Sequence, residues 1–262
     1  YATAFQAATA LRDAMNGLSV SLVVYVRPQV EWLESVYLQG IQQGKSESPT
    51  EFWQQVSDAP NLMWSVLATV IQNGLGAGNL ELRTYRSSDV VEDFFSSQGL
   101  GQPPHFSRDG IRLNRSIAPI QGPILRELLS DPEMDPANKP RLRRVFQGVL
   151  TSGAKAGFSS FSESQQQEMR DLMTQDLANL MTSGLMSSAA LDAYGREVAM
   201  LKARPLLPWV ESPESAESLW RESLRCIELL SEVDLVRRSP WARALEKLRR
   251  DPSGFLSAVV RN

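Results

Sequence analysis

Ser19–Tyr37 reads SVSLVVYVRPQVEWLESVY, and the change of pattern inside it decides the fold class. Ser19–Val26 is a short β-branched run without polar alternation beyond its start, the pattern of a parallel strand buried on both faces. Arg27 stands at its carboxyl end. Pro28 then opens a helix, where its missing N–H does no harm, and the helix continues through EWLESVYLQGIQQG. Upstream, AFQAATALRDAMNG sets Phe5, Ala8, Leu11, Ala14 and Met15 on one helical face, and Gly17 stops it. Helix, strand, helix is the order of an α/β layer.

Downstream, a polar break GKSESPT leads to a Trp-bearing helix near 51–57 and an apolar helix over about 61–73. Gly74-Leu-Gly-Ala-Gly78 lacks the third glycine at phosphate-loop spacing and precedes a strand where such a loop would follow one. It reads as a helix stop and turn. Asn79–Tyr85, NLELRTY, is the second strand, and Asp89 caps a helix that ends at Gly99. After Gly101-Gln-Pro-Pro104 the strand signal disappears. Helical pattern follows over 120–130, 139–152, 162–183 and 187–202, then, past Pro205 and Pro208, over 213–231 and 239–250. FSSFSESQQQ reads as a capped helix start within that series. Two parallel strands do not make a stable doubly wound sheet alone. The expectation is that further strands belong beside them.

Composition bounds the function. With 42% hydrophobic residues among 262, the chain can bury a sizeable core, so wholesale disorder is excluded. Cys226 is the only cysteine and His105 the only histidine, which excludes a disulfide scaffold and leaves a structural zinc site without ligands. Twenty-seven basic against 30 acidic residues give no global case for nucleic acid binding. No apolar run approaches the roughly 20 residues of a membrane span. The chain opens on Tyr1 without a charged-then-apolar leader, which points to a cytoplasmic protein whose reading frame is cut at its front.

Charge is uneven, however: Arg237–Asn262 carries seven basic and two acidic residues, a net +5 on an acidic body. Its helix Ser239–Arg250 sets Trp241, Leu245 and Leu248 on one side and Arg243, Lys247 and Arg250 on others. Such a helix either docks on the domain with a solvated basic face or touches an anionic membrane surface through 239–262. The domain reading is 1–185 for the α/β part and 186–262 for a helical extension with this basic tail.

In open α/β sheets ligands bind beyond the carboxyl ends of the strands, where Arg27 stands. Ser35 lies eight residues on, two turns up the next helix, and a guanidinium fork with a hydroxyl suits a phosphate monoester. This stretch resembles the 3′-phosphate-binding segment of the sulfotransferases that use PAPS (3′-phosphoadenosine 5′-phosphosulfate), in which a hydrophobic strand ends in Arg and a Ser follows eight positions later. It is similar most of all to bacterial sulfotransferase-like proteins encoded with surface-polysaccharide genes, through Gln29, Glu31, Trp32, Leu33, Glu34, Ser35 and Tyr37. Asp89-Val-Val-Glu-Asp-Phe94, Gly99-Leu100 and Arg112-Leu-Asn-Arg-Ser-Ile117 keep the order of that subgroup. The likeness covers roughly 19–180, with an echo at Leu248–Leu256.

The resemblance implies the C-terminal part of a P-loop-type three-layer α/β fold with a largely helical second half. It implies PAPS as donor, a hydroxyl acceptor on a carbohydrate, no metal, and Arg27 and Ser35 as donor-binding residues; Arg115 is a candidate to close over the nucleotide phosphate, against a surface or structural role. The family's first strand and phosphate loop have no counterpart, and its catalytic base is unmatched, so no catalytic residue is assigned and the chain reads as incomplete. The alternative is a degenerate domain of this kind that binds glycan or protein without catalysis. A small-molecule kinase would need a Mg²⁺-binding carboxylate that the sequence does not place. His105 is a further candidate for a base, Arg86 and Asn114 for phosphate closure and Tyr85 for adenine stacking, against surface or packing roles. Cys226 reads as an inert core thiol.

Overall fold

Which residues of the two predicted strands point at each other is settled by a computed structural model. It describes residues 2–15, 18, 21–57, 59, 62–76, 79–85, 90–101, 117–119, 121–130, 136–137, 139–140, 142–143, 146, 158–203 and 207–208. The elements are α1 (Ala2–Ala14), β1 (Ser21–Val26), α2 (Gln29–Gln42), α3 (Pro49–Val56), α4 (Trp64–Leu75), β2 (Asn79–Thr84), α5 (Val90–Ser97), α6 (Gln121–Ser130), β3 (Phe158–Ser159), α7 (Glu163–Ser183), α8 (Ser188–Ala203) and β4 (Leu207–Pro208). The chain divides into two compact units, each assembled from three separated stretches, and the divisions fall inside α2 after Trp32 and inside α7 before Gln167.

The first unit comprises 1–32, 56–111 and 167–205. Its β1 and β2 pair in parallel, from Ser21 opposite Asn79 to Val26 opposite Thr84, as the α/β reading requires. On its other side β2 meets the chain at Met186 through a parallel bridge at Leu82, whose N–H donates to the Leu185 carbonyl at 2.9 Å. Alternate residues Leu22, Val24 and Val26, with Leu80 and Leu82, face a core built from Trp64 and Ala68 of α4, Met173 and Leu180 of α7, and Tyr194 and Val198 of α8.

The opposite face is polar, and this corrects the expectation of a strand buried on both sides. Tyr25 donates to Asp93 at 2.8 Å, and Arg83 makes a two-nitrogen ion pair with the same carboxylate, at 2.6 and 2.8 Å. Arg83 also reaches Glu81 at 2.7 Å. The sequence of β1 hides this because its outer residues, Val23 and Tyr25, are themselves apolar or aromatic; the polar partners come from β2 and α5. The Asp93 and Glu81 carboxylates hold the Arg83 guanidinium above its ordinary value. Burial and Asp93 together push the Tyr25 phenol up to about 12.

Against α4 lies α1, and Gly74 faces it: a Cβ there would stand 2.7 Å from the Ala8 Cβ and 2.8 Å from the Phe5 carbonyl oxygen. Two residues on, Gly76 ends α4 at φ 75°, the stop anticipated for this glycine run.

The second unit comprises 33–55, 112–166 and 206–262. Leu33, Tyr37, Leu38 and Ile41 form the buried side of α2 here. Tyr37 packs on Phe52 and Phe161 with ring centroids 5.5 and 5.7 Å away, and Gly122 of α6 sits against Leu38 and Ile41. Ser48 and Glu51 form a reciprocal cap at the start of α3. Ser162 and Gln165 do the same for α7, as the sequence pattern predicts. β3 and β4 pair in parallel over two residues each, too short to leave a pattern in the sequence. Among the described residues no helix is long and apolar enough to cross a membrane.

Candidate functional site

The chain leaves β1 at Val26 and enters α2 at Gln29, so Arg27 and Pro28 form the whole strand-to-helix junction. In-register pairing carries β2 to the same level, and the Tyr85 N–H makes a last sheet bond to the Val26 carbonyl at 2.6 Å. Arg27 and Tyr85 thereby sit side by side beyond the carboxyl ends of the two strands. The Arg27 guanidinium lies over the Tyr85 ring, 5.4 Å from its centroid. A cation held over an aromatic face keeps its charge and its planar fork of donors available for a second partner.

Arg27 is half-buried and Tyr85 exposed. Among the described residues no carboxylate lies within ion-pair distance of Arg27. Glu31, in the first turn of α2, interacts electrostatically with it without pairing. A partly desolvated guanidinium without a paired carboxylate among the described residues is chemistry for an anion. Tyr85, considered for stacking on adenine, is the ring beneath this cation.

A buried polar network stands behind Arg27. Its carbonyl accepts from the Trp64 indole N–H at 2.8 Å. The fully buried Asp176 of α7 accepts from the Trp64 N–H at 2.8 Å, the Ser65 N–H at 3.0 Å, the Ser65 hydroxyl at 2.6 Å and the Gln29 amide at 2.6 Å. Tyr194 of α8 donates to the Gln29 side-chain Oε1 at 3.0 Å. Asp176 thus caps α4, whose own N-cap position is Met63 and provides no side-chain acceptor. Burial first, then the nearby Asp176 charge, raises the Tyr194 phenol well above its ordinary value.

Sequence reasoning missed this network. One signal for it existed: at the helical spacing Met169, Met173, Asp176 and Leu180 of α7 share a buried stripe, and a carboxylate on such a stripe needs several donors.

Ser35 lies half-buried in the second turn of α2 and belongs to the second unit, whereas Arg27 belongs to the first. Its neighbour Glu34 is buried and accepts from the Ser159 hydroxyl at 2.7 Å, the Ser160 N–H at 3.1 Å and the Ser160 hydroxyl. Burial raises the Glu34 carboxyl above the usual range, and the serine donors oppose that rise. Arg115, Arg86, Asn114, His105, Cys226 and the tail 239–262 lie outside the described residues. No family model, curated protein or solved structure matches the chain.

Proposed function

We propose that this chain carries the 3′-phosphate half-site of a P-loop-type sulfotransferase-like protein that takes PAPS as donor and transfers its sulfuryl group to a hydroxyl of a carbohydrate; the phosphate loop and base of that reaction are not assigned in it. The observation that carries the reading is Arg27: a guanidinium past the carboxyl end of a parallel strand, supported by an aromatic ring and without a paired carboxylate among the described residues. In this reading Arg27 binds the 3′-phosphate of donor and product, so it orients the reacting sulfate without touching it. Ser35 and Arg115 are the further donor-binding candidates that the sequence offers.

The chemistry is an in-line displacement. The acceptor oxygen bonds to sulfur while the sulfur–oxygen bond to the 5′-phosphate breaks, and 3′,5′-ADP leaves. The acceptor proton passes to a base not assigned in this chain. Positioning and charge stabilisation supply most of the rate in such a reaction.

Titration of 3′,5′-ADP into the full chain by calorimetry tests the reading, with Arg27→Ala and Ser35→Ala as variants. Hydrogen bonds to a charged group contribute about 1.5–3 kcal/mol each, so Arg27→Ala is expected to weaken binding by roughly tenfold or more. Equal affinity in wild type and Arg27→Ala, or no binding by either, would remove the assignment. Nucleotide binding without transfer of sulfate from PAPS to any glycan hydroxyl would point instead to the non-catalytic form of the domain.

A further inference from the structure

We infer that Trp64 is a positioning residue for Arg27: its indole N–H fixes the Arg27 carbonyl, and this presents the guanidinium over Tyr85 at the strand ends. The inference rests on the nucleotide-binding reading for what Arg27 does, and on geometry alone for how Arg27 is held.

Arg27 occupies the one point where neither regular ladder controls the backbone. The last sheet bond runs from the Tyr85 N–H to the Val26 carbonyl, and the first bond of α2 from the Trp32 N–H to the Pro28 carbonyl at 3.0 Å. The Arg27 carbonyl falls between them, and Pro28 has no N–H to help define the turn. The Trp64 indole takes that carbonyl at 2.8 Å. A carbonyl fixed in space sets the peptide plane that follows Arg27, and with it the direction of the Cα–Cβ bond that carries the guanidinium.

Trp64 can perform this role because it is itself immobilised. Its N–H is held by Asp176, its ring meets the edge of Trp32 at 4.9 Å and 70°, and it is buried. Asp176 also holds Gln29 at 2.6 Å, so one carboxylate ties the start of α4 to the start of α2, two residues past Arg27. Ser65 bonds the same carboxylate through its hydroxyl at 2.6 Å and makes no hydrogen bond to Arg27, so it serves as the matched control.

The test compares Trp64→Phe, which keeps an aromatic ring against Trp32 and removes the N–H, with Ser65→Ala. The first readout is the Arg27 Nε–H resonance, identified by its loss in Arg27→Lys and shifted in wild type by the Tyr85 ring current. Trp64→Phe is expected to move it toward the position of a solvated arginine, and Ser65→Ala to leave it in place. An Arg27 signal that Trp64→Phe does not move, or that both variants move alike, overturns the inference whatever the nucleotide does.

The second readout is 3′,5′-ADP affinity, expected to fall roughly three- to tenfold in Trp64→Phe, the worth of one hydrogen bond, and to hold in Ser65→Ala. If Arg27→Ala weakens binding and Trp64→Phe does not, the inference fails and the functional reading stands. If wild type binds no nucleotide, the reading fails and the resonance still decides the inference. Should Trp64→Phe not fold, hydrogen exchange of the Trp64 indole N–H in wild type decides: slow exchange is expected, and exchange at the rate of an exposed indole overturns the proposal.

Discussion

Two carboxylates, Asp176 and Glu34, are buried without an ion-pair partner among the described residues, and each is kept by hydrogen bonds. An uncompensated buried carboxylate is costly, so their donors are part of the fold's stability. Glu34 offers the clearer test, because burial raises its carboxyl above the ordinary 4.5. In the interval between 4.5 and the raised folded value, the folded chain keeps a proton that the unfolded chain has released. Stability from this group is therefore fully present below the unfolded value and is lost as pH rises through the folded one. Glu34→Gln removes that slope, so the stability difference, variant minus wild type, should grow with pH across this window. Urea midpoints measured at a series of pH values check it, and parallel profiles for the two proteins would sink it. At this scale the sequence offered Arg27 by its place after a strand. It did not offer Trp64 or Asp176, because a residue 37 positions away and another in a distant helix meet Arg27's junction only in three dimensions.

Helices were the most legible elements. The reading of 162–183 and 187–202 became α7, Glu163–Ser183, and α8, Ser188–Ala203, because apolar spacing and serine caps both mark their starts. The apolar helix expected near 61–73 starts instead at Trp64, where Asp176 supplies a cap that local sequence lacks. Gly74 shows the same dependence on a distant partner. In an exposed helix interior, replacing glycine by alanine gains about 1 kcal/mol. Here the new methyl group would meet Ala8 and the Phe5 carbonyl at under 3 Å. Gly74→Ala is therefore expected to destabilise by roughly 1–3 kcal/mol, the usual cost of overpacking. Urea unfolding of the full chain measures it, and a gain in stability would show that α1 does not pack on α4 as described.

For the molecule as a whole, formal charge is −3 at pH 7 and the sequence pI is about 5.4. Proteins are least soluble where net charge vanishes. Turbidity of the concentrated chain is expected to peak near pH 5.4 and to fall on either side; a flat profile would contradict it. What the sequence determined by itself is the local part of the structure: the parallel strand pair, the order of helices around it, the glycine stop after α4 and the cap of α7. Each of these follows from backbone preference and from apolar spacing within a few residues. Only the tertiary structure decided which face of β1 is buried, that Arg27 lies over Tyr85, and that one carboxylate from α7 braces the beginnings of α4 and α2. These depend on pairing register and on contacts between residues far apart in the chain. A period of two or 3.6 residues carries no record of such partners.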